Sequence, residues 1–253
     1  MSAIYPSLDG QSVLITGGGS GIGASIVSHF AAQGSKIAFV DIAKEPSVAL
    51  VAEIEAAGHA APLFLPCDLR DIEALRGAVA KAAEVNGPIT VLINNAAHDE
   101  RHAIESVTPD YWDERMAVNL RHQFFAAQAV APMMKAAGGG SIINFGSTSW
   151  MIGQGGMPGY TAAKSAVIGL TRGLARDLGR DNIRVNSIAP GWIMTERQIK
   201  LWLTPEGEQE LMARQCLKRK LQPADVARLT LFLASDDSNA MTNQTYICDG
   251  GWV

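Results

Sequence analysis

Apolar residues along this chain gather into short runs separated by longer stretches of mixed character. Ser12-Val13-Leu14-Ile15-Thr16, Lys36-Ile37-Ala38-Phe39-Val40 and Val91-Leu92-Ile93-Asn94 are brief and largely apolar, the pattern of strands covered on both faces. Ser141-Ile142-Ile143-Asn144-Phe145, Arg184-Val185-Asn186-Ser187-Ile188-Ala189 and Thr245-Tyr246-Ile247-Cys248 continue the series, and a further run ends at Leu65. Helical patterns lie between them, for example Ala24 to Gln33, closed by Gly34. Strand and helix alternate with no linker and no internal repeat. The chain is therefore read as one α/β domain over residues 1–253.

The first connection carries chemistry. Gly17-Gly18-Gly19-Ser20-Gly21-Ile22-Gly23 follows a strand and opens a helix, which aims free backbone N–H groups at an anion such as a pyrophosphate. Glycine is required where a Cβ would block the phosphates or hold the helix off the strand. The second strand ends at Asp41, an acidic group placed to accept both ribose hydroxyls of an adenosine and to repel a 2′-phosphate. Neither Ser20 nor Ile42 supplies the cation that would suit NADP, so NAD is the expected cofactor. A carboxylate capping the turn before Lys44 is the structural alternative.

A second constellation lies past the middle of the chain. Tyr160 and Lys164 sit one helical turn apart in Pro158-Gly159-Tyr160-Thr161-Ala162-Ala163-Lys164, and Ser147 leaves the fifth strand. Residues i and i+4 share a helix face, so the ammonium is expected to favour ionisation of the phenol, whose ordinary pKa is about 10. Ser147 would hold a substrate oxygen against that phenol.

Together these motifs resemble the short-chain dehydrogenase/reductase family over essentially the whole length. The loop from Thr16 to Gly23 fits that family's Thr-Gly-x-x-x-Gly-x-Gly form. It is followed in order by Asp68, Asn94-Asn95-Ala96-Ala97, Asn119, Ser147, Tyr160, Lys164 and Pro190-Gly191. Ala97 stands where the family usually has glycine. The resemblance implies a Rossmann-type three-layer α/β/α sandwich with a seven-stranded parallel sheet, its cofactor half at about 10–150 and its catalytic and substrate-loop half at about 140–253. It also implies that Asn119, Ser147, Tyr160 and Lys164 are catalytic, Asn119 by kinking a helix and holding a water that links Lys164 to solvent. Gly17, Ser20, Gly21, Ile22, Gly23, Asp41, Asp68, Leu69, Asn95, Ala96, Tyr160, Lys164, Pro190, Gly191, Ile193 and Thr195 would bind the cofactor. For Asp68 the alternative is a helix N-cap ahead of Asp71-Ile72-Glu73.

Substrate choice rests on less regular segments. His98, Trp150, Gln154 and Trp192 join Ser147 and Tyr160 as candidate substrate residues, since hydrogen-bonding groups beside an indole face suit a sugar. Tyr111-Trp112-Asp113-Glu114-Arg115, Asn119-Leu120-Arg121-His122 and Leu203-Thr204-Pro205-Glu206-Gly207-Glu208 resemble NAD-dependent aldose 1-dehydrogenases, such as the bacterial enzymes of D-xylose oxidation. The loop Trp150 to Met157 does not match them well, which leaves the sugar open. The implied reaction oxidises the anomeric C1 hydroxyl of a pentose, hexose or deoxyhexose to the aldonolactone. Other readings are a polyol, secondary-alcohol or 3-oxoacyl substrate, and a cofactor-binding scaffold without chemistry.

Composition narrows the partners. The chain has 253 residues, 47% hydrophobic, enough for one large core, and a formal charge of −4 that disfavours nucleic acid or an anionic membrane. Leu217-Lys218-Arg219-Lys220 is the one compact basic run and reads as a solvated helix end. Cys67, Cys216 and Cys248 are too scattered for a disulfide frame or zinc site, and no metal is expected. Met1-Ser2-Ala3-Ile4-Tyr5-Pro6 lacks a signal-peptide pattern, so a cytoplasmic protein is expected. The helix continuing through Ala166 to Leu174 is small and apolar on more than one face, which suggests burial on both sides. The family resemblance implies that it and the last strand pair across the two-fold axes of a homotetramer, with packing inside one subunit as the alternative.

Overall fold

The computed structural model describes residues 3–253; Met1 and Ser2 of the N-terminal stretch lie outside the described residues. Seven strands, β1 (Ser12–Thr16), β2 (Lys36–Asp41), β3 (Leu63–Pro66), β4 (Val91–Asn94), β5 (Gly140–Phe145), β6 (Ile183–Pro190) and β7 (Thr245–Cys248), form one sheet in the order β3-β2-β1-β4-β5-β6-β7. All pairings are parallel. The helices are α1 (Gly21–Ala31), α2 (Lys44–Ala56), α3 (Ile72–Asn86), α4 (Pro109–Met116), α5 (His122–Ala136), α6 (Pro158–Leu178), α7 (Glu196–Leu201), α8 (Pro205–Arg214) and α9 (Pro223–Ala234).

The two-residue period of a strand sorts the core into two layers. Val13, Ile15, Ile37, Phe39, Val91, Ile93, Ile143 and Phe145 face one way, onto α1, α2 and α9. Leu14, Ala38, Val40, Leu92, Ile142 and Val185 face the other, onto α3, α5 and α6. In-register pairing of Val13 with Ile37 and with Val91 keeps the alternation aligned across the sheet. The strand order reverses between β1 and β4, where an open parallel sheet leaves a crevice at its carboxyl ends.

Helix α1 starts at Gly21, inside the glycine loop and three residues earlier than its apolar pattern implies. Gly17 adopts φ +66°, and a Cβ on Gly23 would lie 1.8 Å from the Gly17 carbonyl oxygen. Strand and helix can approach this closely only with glycine at 23. Between α4 and α5, residues Ala117–Arg121 form a π-helical turn around Asn119, matching the expected kink. The basic run lies between α8 and α9, where the Lys218 ammonium donates to the carbonyls of Met212 at 2.8 Å and Ala213 at 3.3 Å, closing the end of α8. Among the described residues no helix is long and apolar enough to cross a membrane.

Replacing Gly23 with Ala should therefore lower stability by about 2–4 kcal/mol, as overpacking against backbone cannot relax through a side chain. Thermal unfolding should show a fall of roughly 5–15 °C.

Candidate active site

One cleft of about 1300 Å³ runs along the carboxyl ends of the strands. Its cofactor end is lined by Gly17, Ser20, Gly21, Ile22, Gly23, Asp41, Asp68, Leu69, Asn95 and Ala96. Ser20 makes no side-chain capping bond, so the first-turn N–H groups of α1 remain available to an acceptor in the cleft. The Asp41 carboxylate accepts from Gly19 N at 2.8 Å and from Ala43 N at 2.9 Å, so it holds the glycine loop and caps the turn as well as facing the cleft. Asn95 Nδ2 donates to the carbonyls of Thr16 at 3.1 Å and Gly17 at 2.8 Å, stapling β1 to the crossover. A loop that a Cβ would fill, an uncapped helix start and a fixed acid at the second strand together fit an adenine dinucleotide.

Asp68 departs from the capping alternative. Asp71 is the N-cap of α3, accepting from Glu73 N and Ala74 N, whereas Asp68 accepts from the Arg70 backbone and guanidinium. The turn after β3 puts Asp71, not Asp68, one residue before the helix. That Arg70 contact holds the half-exposed Asp68 carboxyl below its ordinary range.

The reacting end is built by β5 and α6. Ser147, Tyr160 and Lys164 all line the cleft, with Pro190, Gly191, Ile193 and Thr195 on the far wall. Lys164 is 1% exposed; its Nζ donates to the Phe145 carbonyl at 2.7 Å and lies 5.7 Å from the Tyr160 ring centre. Burial holds the ammonium down to about 7. Burial also pushes the Tyr160 phenol up, reinforced by the Asp99 charge and opposed by the Ser147 hydroxyl. The expectation that Lys164 lowers the tyrosine is not met in this arrangement, because desolvation dominates and the ammonium is turned onto the β5 carbonyl. His122, fully buried beside Lys164, is pushed down to about 3 by burial first and by that cation second, and so is neutral.

Asn119 does not line the cleft. Its Oδ1 accepts from His98 N at 2.8 Å, and its Nδ2 donates to the carbonyls of His98 at 3.2 Å and Arg115 at 3.0 Å. The amide thus pins the loop after β4 from behind. His98 does line the cleft, its Nδ1 2.5 Å from Arg115 Nη1. Gln154 and Trp192 line it too, the Trp192 Nε1 donating to Gln198 Oε1 at 2.9 Å. Trp150 is the exception among the substrate candidates. Ile152 N and Met151 N bond back to the Thr148 carbonyl, and that turn carries Trp150 outward, away from the cleft lining.

Further residues line the cleft: Asp99 and Arg101, from the polar run His98 to His102 after β4, and Gln198, Trp202, Arg214 and Trp252, from segments far apart in sequence that no motif marks.

A family model described as enoyl-(acyl carrier protein) reductase matches residues 17–253. The chain belongs to the short-chain dehydrogenase/reductase family. As a member, it is an oxidoreductase that binds a nicotinamide cofactor. It is 53% identical over 250 residues to "Probable galactose dehydrogenase" of Rhizobium meliloti, covering 99% of this chain and 98% of that one. It is 51% identical over 251 residues to D-xylose 1-dehydrogenase of Caulobacter vibrioides, covering 99% of each. Among solved structures, a blue fluorescent protein from a metagenomic library in complex with NADPH is 36% identical with a TM-score of 0.88, covering 98% and 99% of the two chains. A short-chain type dehydrogenase/reductase of Mycobacterium ulcerans reaches 0.92 at 28% identity, covering 97% and 90%.

Removing the Asn119 amide by substitution with Ala should free the His98 N–H. Hydrogen exchange at that amide is expected to accelerate at least about tenfold, the effect of losing one buried hydrogen bond.

Proposed function

We propose that this protein is an NAD-dependent aldose 1-dehydrogenase that oxidises the anomeric hydroxyl of a pentose or hexose to the aldonolactone. The observation that carries this reading is the convergence of Ser147 and Tyr160 with the polar loop His98-Asp99 and with Gln154 and Trp192 in one cleft. Full-length identity above one half to proteins named for galactose and xylose oxidation supports it. Asp41 favours NAD over NADP, because a 2′-phosphate would meet its carboxylate.

In the proposed mechanism Ser147 holds the anomeric oxygen and Tyr160 takes its proton. The glycine loop, Asp41, Asp68, Leu69, Asn95, Ala96, Pro190, Gly191, Ile193 and Thr195 would hold NAD, which would supply a hydride acceptor and a positive ring charge. The sugar loses a proton from oxygen and a hydride from C1, a two-electron oxidation. Lys164, poised near neutrality, exchanges protons beside Tyr160, and Asn119 fixes the loop that closes over it. Because the base must be deprotonated and burial raises its pKa, oxidation should increase with pH through the neutral range. A homotetramer is part of the proposal: Ala166, Gly169 and Gly173 on α6 and Ile247 on β7 are exposed in the single chain.

Purified protein assayed for NADH formation at 340 nm should turn over one or a few aldoses with NAD, and poorly with NADP. Activity confined to polyols or secondary alcohols would discard the sugar assignment. Tyr160→Phe should lower turnover at least about a thousandfold while NAD binding, followed by fluorescence, is retained. Substantial activity in that variant would overturn the proton-transfer role.

A further inference from the structure

Helix α7 lies along the cleft, with Arg197, Gln198, Lys200 and Leu201 in its lining. Its side-chain attachments to the rest of the protein are few. Arg197 Nε is 3.3 Å from Asp99 Oδ1, Arg197 Nη2 is 3.4 Å from His98 Nε2, and Gln198 Nε2 donates to Asp99 Oδ2 at 2.6 Å. Among the described residues, no other side-chain hydrogen bond or ion pair ties α7 to chain outside residues 192–203. One carboxylate, with its neighbouring histidine, fastens the helix to the cleft wall.

The same carboxylate lines the cleft that holds the reacting pair. Its charge acts on both Tyr160 and Lys164, in each case resisting loss of a proton. Around these two, Arg101 comes from the same loop, the Ser147 hydroxyl from the end of β5 and the neutral His122 from α5. Around Asp99 stand Arg197 of α7 and His98.

We propose that Asp99 is a positioning residue that latches α7 over the cleft and couples that closure to the proton chemistry of Tyr160 and Lys164. With α7 down, the Arg197 guanidinium balances the Asp99 charge. With α7 raised, the carboxylate stands unbalanced beside Tyr160 and Lys164 and makes either deprotonation harder. The base therefore forms more readily when the site is closed over a substrate, and an open site is held back. This rests on the reading of Tyr160 as the base in the proposed function.

Three substitutions separate the parts. Asp99→Asn keeps an acceptor for Gln198 but removes the charge. Arg197→Gln leaves the charge and removes its partner. Gln198→Leu removes the hydrogen bonds to Asp99 and from Trp192 without removing any charge. The pH profile of kcat/KM for oxidation is measured with the aldose that the unsubstituted enzyme turns over, or with the alcohol it uses instead. In Asp99→Asn the rising limb should move to lower pH by about half a unit or more, and in Arg197→Gln to higher pH. Both Tyr160 and Lys164 shift in the same direction, so the sign does not depend on which of them carries the proton. Gln198→Leu should raise KM about tenfold and move its limb to higher pH by less than Arg197→Gln does, because the latch is loosened while Arg197 still balances Asp99 whenever α7 is down. In the Asp99→Asn/Arg197→Gln double variant the limb should stay with Asp99→Asn, since the effect of Arg197 acts through Asp99.

A second readout needs no substrate. Limited trypsin digestion of the full chain, followed by mass spectrometry, reports cleavage after Lys200 in α7, which should speed severalfold in all three single variants. Unchanged cleavage would overturn the latch. Limbs that coincide, or that move in the same direction in Asp99→Asn and Arg197→Gln, would overturn the coupling. If no aldose is turned over, the proposed function falls while the trypsin result still decides the latch.

Discussion

The Lys164 ammonium is carried almost wholly out of water to the Phe145 carbonyl, 2.7 Å away, and the rest of the site is arranged around that contact. Burying an ion costs several kcal/mol, and a single charge-assisted hydrogen bond returns about 1.5–3 kcal/mol. The deficit is met by the scaffold. Phe145 is the last residue of β5 and pairs with Ile188 on β6, while the β4–β5 register that ends at Asn94 and Asn144 fixes the strand's height in the sheet. Helix α6 is seated by Ala163, Val167, Thr171 and Ala175, all buried, on the same face of the chain as Lys164. The lysine reaches the carbonyl only if sheet and helix keep this register. The cost also has a use, since it brings the ammonium down to about 7, where it can gain or lose a proton at little expense.

From there a line of buried amides carries the strand register outward. Asn144 Nδ2 donates to Thr171 Oγ1 at 3.1 Å on α6, and Asn94 Nδ2 donates to Asn144 Oδ1 at 2.9 Å and to the Gln123 carbonyl at 3.2 Å on α5. Gln123 Nε2 returns to the Asn119 carbonyl at 3.3 Å, and Asn119 grips both backbone groups of His98. Each buried amide needs partners in a low-dielectric interior, so the network holds the π-helical turn and the cleft loop together as one unit. A small shift in β5 would be felt at His98.

What the sequence reveals follows the range of the interactions. Tyr160 and Lys164 are legible because four residues on a helix fix their relation, and the glycine loop because its demands on φ and on the Cβ are local. Asp41 is legible for the same reason, ending a strand whose neighbour carries the loop. Asp68 and Asp71 compete for one cap three residues apart, and only the observed turn assigns it to Asp71. Trp150 lies close in sequence to Ser147, yet one turn rotates it outward. The balance at Tyr160 is not legible, because adjacency to a cation is visible in sequence whereas desolvation is a property of the packed site. Asp99 and Gln198 meet across ninety-nine positions, a contact no periodicity announces.

These ranges also divide the cleft by role. The groups proposed to transfer the proton stand just after β5 and on α6, whose positions are fixed by the sheet and the buried amides. The groups that would meet a substrate come from the loop after β4, the turn after Ser147, the segment around α7 and the tail at Trp252, none of them bound by strand register. Such segments can vary in length and side chain without disturbing Lys164, which is how one scaffold accommodates substrates as different as those named for this chain's relatives. A sugar also asks something particular of them. Its ring oxygens need donors and acceptors on several sides, while its C–H face gains most from an aromatic plane. In the proposed function, Asp99, Gln154 and His98 would offer the first and Trp192 the second. The Trp192 indole is tied to Gln198 of α7, so in the proposed reading recognition of the ring would be linked to closure over it.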